Sequence, residues 1–184
     1  MNTLASRAQL RASFLRWSLL TVPALLLLGF LSGVVVQTGP GNPWFNGLAK
    51  PGIYPPPATF GIVWSILYAM MGFALALVCA AWGARGRGMA ITAFILQLLV
   101  NLAWTPVFFG MRDIQSALIV IGVLDVLVLV TVALFWRVRR LAAVLLLPYL
   151  AWILFATVLN WQFLELNPDA SGTEDSGAVQ RVEL

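Results

Sequence analysis

Of 184 residues, 61% are hydrophobic and only 10% are charged, and the mean hydropathy is +0.92. A soluble domain is about 45–50% apolar and about 25% charged, so the excess cannot be hidden in one core and the outer surface must itself face hydrocarbon. The formal charge of +4 comes with no histidine and a single cysteine, Cys79, which excludes an imidazole-ligated haem or zinc and any intrachain disulfide.

The basic residues sit in short gaps between apolar blocks, which is loop chemistry in a membrane protein and not a nucleic-acid-binding surface. A spanning helix needs about 20 apolar residues. The length therefore has room for about five helices and no separate soluble domain, and the fold class expected is an all-α integral membrane bundle.

Residues 1–13 form a polar N-terminal segment carrying Arg7 and Arg11. The first apolar block runs from Phe14 to Val36. It is too long for a signal-peptide core and no small-residue cleavage site follows it, so it reads as a retained span. Gly29 and Gly33 in it form a small-xxx-small pair that lets a neighbouring helix approach closely. Residues 37–57 hold six prolines and four glycines, which predicts an irregular loop and no regular helix. The loop also carries Trp44, Phe45, Ile53 and Tyr54, which a solvated linker has no use for. A structured lid lying on the helix ends is expected.

Further spans are expected at 59–82, 89–109, 114–136 and 141–166, giving a transmembrane domain over 14–166. Pro106 lies near the end of the third, and Pro148 should kink the fifth or open a gap in its backbone ladder. Residues 167–184 are polar and read as a disordered tail. Five spans put eight arginines (7, 11, 16, 85, 87, 137, 139 and 140) on one side and Lys50, Arg112 and Arg181 on the other. The positive-inside rule then places the N-terminus in the cytoplasm, with the proline-rich loop outside, and a bacterial cell membrane is the expected setting.

Trp17, Trp82 and Trp136 lie at block ends and read as a membrane-interface belt. Trp64, Trp104 and Trp152 lie further inside three different spans. Each travels at helical spacing with companions: Tyr68 with the first, Gln97, Asn101 and Phe108 with the second, and Phe155, Ala156, Leu159 and Asn160 with the third. Amides in hydrocarbon are costly, so Gln97, Asn101 and Asn160 should face the bundle interior. They are either interhelical glue or, together with the aromatics, the polar points of a cavity for a flat apolar ligand. Asp125, the only acid in mid-span, is either a functional carboxylate or a protonated partner of a hydroxyl or amide across the bundle. No catalytic constellation appears, because a serine or cysteine nucleophile lacks a histidine base. None of Tyr54, Tyr68 and Tyr149 is followed by the basic residue of the cholesterol-type pattern.

Three segments carry a family resemblance. Residues 42–68, NPWFNGLAKPGIYPPPATFGIVWSILY, residues 97–110, QLLVNLAWTPVFFG, and residues 148–161, PYLAWILFATVLNW, resemble in order the motifs of the tryptophan-rich sensory protein and translocator (peripheral benzodiazepine receptor) family. The likeness covers roughly residues 20–168. It implies a five-helix bundle, often a homodimer in membrane lipid, with a pocket under the first loop that takes porphyrins and other tetrapyrroles such as protoporphyrin IX, and in some members sterols.

Carried over by motif, the ligand-binding residues would be Phe45, Trp64, Tyr68, Asn101, Trp104, Trp152, Ala156 and Leu159. The implied function is a membrane receptor or carrier for such ligands, without a resident cofactor. The alternatives are light-dependent porphyrin breakdown through Trp64 and Trp152, and a scaffold with an incidental cavity. This chain departs from the pattern in two places. Trp161, with Glu165 downstream, stands where the family's sterol motif has tyrosine and a basic residue, and Val120 stands where an acid is common, with Asp125 coming later, at a position often aromatic.

Overall fold

The computed structural model describes residues 6–171, which are almost wholly helical. The elements are α1 (Arg7–Val35), a short 3-10 turn (Gly39–Gly41), α2 (Pro43–Gly47), α3 (Pro57–Cys79), α4 (Arg87–Thr105), a π turn (Pro106–Gly110), α5 (Ile114–Val138) and α6 (Arg140–Leu166). Five of the helices are long and apolar enough to cross a membrane.

α1 packs on α3, α3 on α6, α6 on α5 and α5 on α4, while α4 closes the bundle against α3 and α1. The outward faces stay apolar and exposed: Leu19 is 77% and Phe30 67% accessible. Such surface is stable only against acyl chains, so the chain is a multi-pass integral membrane protein.

Helix ends follow local chemistry. Ser6 caps α1 in a reciprocal capping box with Gln9, which pulls the start of the first helix back to Arg7, well before Phe14. α3 stops at Cys79, short of Trp82, because the turn through Gly83 (φ +76°) and Gly86 (φ +77°) begins there. Pro148 does not interrupt α6, which runs unbroken through it. Pro106 does perturb α4, whose last turn widens from α to π at that residue.

The expected close approach at Gly29 is present: a Cβ there would lie 2.2 Å from Tyr68 Cε2. Gly33 instead faces the Thr38 hydroxyl of its own chain turn, not a neighbouring helix. A second close approach lies at Gly72, where a Cβ would meet Val22 Cα at 2.7 Å and where Thr21 Oγ1 donates to the Gly72 carbonyl at 2.8 Å.

The loop after α1 is ordered, and it holds a helix that its proline and glycine content argued against. Pro43 opens α2 at a position that needs no N–H, and Asn42 caps it by accepting from Phe45 N at 3.1 Å. Trp44, Phe45 and Leu48 are buried against Phe108, Ile114, Leu159 and Phe163. Burying a phenylalanine contributes about 1.5–3 kcal/mol, so this aromatic cluster fastens the loop to the bundle. Lys50 folds back under it, donating to the carbonyls of Phe45 and Leu48 and sitting 4.3 Å from the Phe45 ring. Burial lowers the Lys50 pKa from its ordinary value. The residues after α6 are also ordered as far as Ser171, where a disordered tail was expected: Asn167 pairs with Ala49, and Trp44 bonds Ala170. The rest of the expected tail, with Arg181, lies outside the described residues.

Candidate functional site

Beneath the loop, between α1, α3, α4, α5 and α6, lies a cavity of about 910 Å³. That is within the range of about 300–1,000 Å³ usual for small-molecule sites. All eight residues picked from the sequence line it: Phe45 from α2, Trp64 and Tyr68 from α3, Asn101 and Trp104 from α4, and Trp152, Ala156 and Leu159 from α6. Trp64, Trp104 and Trp152, spread over 88 positions of sequence, thus share one wall system.

The rings are held by each other. Trp64 lies 5.4 Å from Tyr68, Trp104 stacks on Phe108 at 4.9 Å, and Trp152 meets Phe60 edge-on at 5.9 Å. Aromatic pairs at such spacings add about 0.5–1.5 kcal/mol beyond area burial, so the walls are preformed.

The polar groups are held as tightly. Tyr68 Oη donates to Asn101 Oδ1 at 2.7 Å, and Trp104 Nε1 donates to Asn160 Oδ1 at 3.1 Å. Asn160 Nδ2 in turn donates to the Ile114 carbonyl at 3.0 Å. Gln97 lies below the cavity and not on it: its Oε1 accepts from Tyr149 Oη at 2.9 Å. Glue and cavity wall are therefore the same residues at Asn101 and Asn160, whereas Gln97 is glue alone. The Trp152 Nε1 donor is buried without a partner.

No charged side chain is among the described residues that line the cavity. A ligand here meets aromatic faces, two bonded amides, two tyrosines and a few hydroxyls, and among the described lining residues there is no carboxylate, thiol or imidazole. Asp125 is not on the cavity. Its Oδ2 lies 2.8 Å from Thr157 Oγ1, which also lies 2.9 Å from the Ile153 carbonyl. A hydroxyl has one proton, so a protonated Asp125 donating to Thr157, with Thr157 donating to Ile153, satisfies both contacts.

Several lining residues were not singled out as ligand-binding. Phe60 precedes Trp64 by one turn, and Phe163 follows Asn160 by three residues. Extending the two aromatic stripes by a turn each would have found them. Gln37 was hidden, because its place at the cavity mouth comes from a left-handed backbone (φ +52°) that closes α1. The belt tryptophans stay outside: Trp82 and Trp136 are exposed, with Arg87 4.4 Å and Arg140 5.8 Å from their rings.

Comparison with known proteins agrees with the architecture. Over 150 residues, 81% of this chain and 94% of the relative, the sequence is 37% identical to the tryptophan-rich protein TspO of Chlorobaculum tepidum. It is 38% identical over 124 residues to the tryptophan-rich sensory protein of Cereibacter sphaeroides, covering 67% of this chain and 77% of that one. It is 37% identical over 136 residues to the human translocator protein, covering 73% and 80%. The model of the TspO/MBR family matches residues 20–166, from the middle of the first span through the loop that roofs the cavity and the other four spans, and the chain belongs to that family.

Proposed function

We propose that this protein is a membrane receptor or carrier that takes a flat, largely apolar tetrapyrrole, of the protoporphyrin type, into the cavity under its first loop. The observation that carries the reading is the cavity itself: preformed, about 910 Å³, walled by three tryptophans from three helices and free of charged side chains among the described residues. Flat aromatic surface suits offset stacking, and the absence of histidine from the chain suits a metal-free macrocycle better than a ligated haem. The names of the relatives, sensory and translocator protein, accord with ligand recognition. In the same reading the basic end faces the cytoplasm of a bacterial cell and the cavity opens toward the other side. Two copies pair through bare apolar helix faces.

The test is an absorbance and fluorescence titration of the purified protein with protoporphyrin IX in the dark. A saturable Soret shift at one ligand per chain is the expected result, and no shift would overturn the reading. A second reading, light-driven oxidation of bound porphyrin, draws on Trp64 and Trp152 both standing on the cavity wall. It requires that illumination in air yield a new product, and that Trp64→Phe or Trp152→Phe abolish that product while dark binding persists.

A further inference from the structure

We infer that the short segment after α6, residues 167–171, is a latch that holds the first loop shut over the cavity. Asn167 is its central positioning residue. The access part of this inference rests on the ligand reading above; the latch itself does not.

Asn167 sits at the C-terminal end of α6, anchored by its Nδ2 to the Phe163 carbonyl at 2.9 Å. The same carboxamide engages both backbone groups of Ala49 in the loop. Ala49 N donates to Asn167 Oδ1 at 2.8 Å, and Asn167 Nδ2 donates to the Ala49 carbonyl at 3.0 Å. This two-point pairing is what a neighbouring strand would offer a peptide unit, and it links positions 118 residues apart. Three residues on, the Ala170 carbonyl accepts from Trp44 Nε1 at 3.2 Å, and Ser171 Oγ accepts from Ile114 N at the start of α5 at 3.2 Å.

The segment therefore bonds the loop at two places and the bundle at two places. It spans the edge at which a hinged loop would lift. Between the two loop contacts lies Phe45, the ring that roofs the cavity. Asn167 itself does not line the cavity, so its effect on a ligand must pass through the loop.

The chemistry makes the latch reversible. Ala49 is exposed, and so is Lys50 beside it, although Leu48 and Pro51 on either side of the pair are buried. Water can replace each bond once the loop lifts, so opening breaks the pairing without leaving a buried orphan group. The aromatic cluster beneath supplies most of the closing free energy, and the latch fixes the loop's register upon it.

The experiment uses the full chain with Cys79→Ala and Leu48→Cys, which puts a single thiol on the buried face of the loop itself, at a position that is 7% exposed. Maleimide labelling of that thiol reads loop opening without any ligand. Asn167→Ala should speed labelling roughly ten- to thirty-fold, the factor that loss of two ordinary hydrogen bonds converts to. Asn167→Asp, which keeps the acceptor for Ala49 N but sets a carboxylate oxygen against the Ala49 and Phe163 carbonyls, should speed labelling at least as much. Trp44→Phe, which keeps a ring on Phe108 but removes the bond to Ala170, should speed labelling independently.

With protoporphyrin IX as the probe, association and dissociation rates in Asn167→Ala should rise by a common factor. The equilibrium constant should move little, because a latch is broken in transit and remade afterwards. Unchanged labelling in both Asn167→Ala and Trp44→Phe overturns the latch. Faster labelling with unchanged porphyrin exchange rates overturns its role in access and sends the ligand between helices from the bilayer. If the parent protein takes up no protoporphyrin, the ligand reading and the access role with it are overturned, and the labelling rates alone still decide the latch.

Discussion

Tyr68 is the point where helix packing and cavity shape depend on one another, and Gly29→Ala tests that dependence. The ring edge of Tyr68 lies over Gly29, so that a Cβ there would sit 2.2, 2.5 and 2.7 Å from three ring carbons. None of these distances is tenable, and the ring, 8% exposed and hydrogen-bonded at its tip to Asn101, has no free volume to move into except the cavity. Two opposing effects set the magnitude. Gly to Ala within a helix gains about 0.5–1 kcal/mol in an open position. Overpacking costs about 1–3 kcal/mol, and losing the Tyr68–Asn101 bond adds about 0.6 kcal/mol, the mean for interhelical bonds in membranes. Gly29→Ala should therefore be destabilising by about 0.6–3 kcal/mol net. Gly122→Ala, where nothing lies within 4 Å of the added methyl, should be stabilising. Unfolding midpoints in detergent measure both. The decisive comparison is the double variant: with Tyr68→Ala already present, Gly29→Ala should no longer cost stability. Additive effects of the two substitutions would refute the argument that the ring and the glycine occupy one space.

Three further outcomes follow from local chemistry. Gln37 holds a left-handed backbone (φ +52°) at the end of α1, where Thr38 N bonds the Gly33 carbonyl and Gln37 N the Val34 carbonyl. Gln37→Gly should raise stability by about 0.5–1 kcal/mol in detergent unfolding, and a loss would assign the glutamine side chain a stabilising contact at the cavity mouth. Asp113 caps α5 by accepting from Ser116 N at 2.9 Å, and hydrogen bonding from Ser116 holds its carboxyl below the usual carboxylate range. A depressed folded value means the stabilisation is present above the ordinary carboxylate pKa and is lost as pH falls through the depressed one. Asp113→Ala should thus cost about 1 kcal/mol at neutral pH and nearly nothing well below about pH 4; a pH-independent difference would contradict this. Gly47→Cys, in a Cys79→Ala background, should react with an impermeant thiol reagent from outside intact cells while Ala84→Cys does not, and the reverse pattern would invert the orientation drawn from eight arginines against three basic residues.

What could be read from the sequence was whatever repeats with the period of a helix. The aromatic and amide stripes at 64–68, 97–108 and 152–160 fell on inward faces because hydrocarbon tolerates neither amides nor backbone gaps outside the bundle. Periodicity gives a face, not a partner. It did not tell that Asn160 bonds Trp104 whereas Gln97 bonds Tyr149 away from the cavity, since each amide lies about two turns from a tryptophan on an inward face and nothing in the period names the neighbour it meets. The Gly72–Val22 approach was illegible for a related reason: a lone glycine in α3 gains meaning only when α1 lies across it, with Thr21 bonding its carbonyl. The segment after α6 was misread because its order comes from one carboxamide and one indole meeting a loop far away in sequence. Composition alone makes that stretch look solvated.

The central claim, that a flat ligand occupies the space among the three tryptophans, is tested most directly by filling that space. Ala156 stands one turn beyond Trp152 on the cavity wall, and Ala156→Phe places a ring where the ligand would lie. Protoporphyrin IX titrated into wild type, Ala156→Phe and Trp17→Phe, each first shown to unfold cooperatively in detergent, gives the comparison. The account predicts that Ala156→Phe raises the dissociation constant about tenfold or more, at least about 1.4 kcal/mol, while Trp17→Phe in the interface belt leaves it unchanged. Equal affinity in all three would contradict it, because the porphyrin would then sit somewhere other than the cavity.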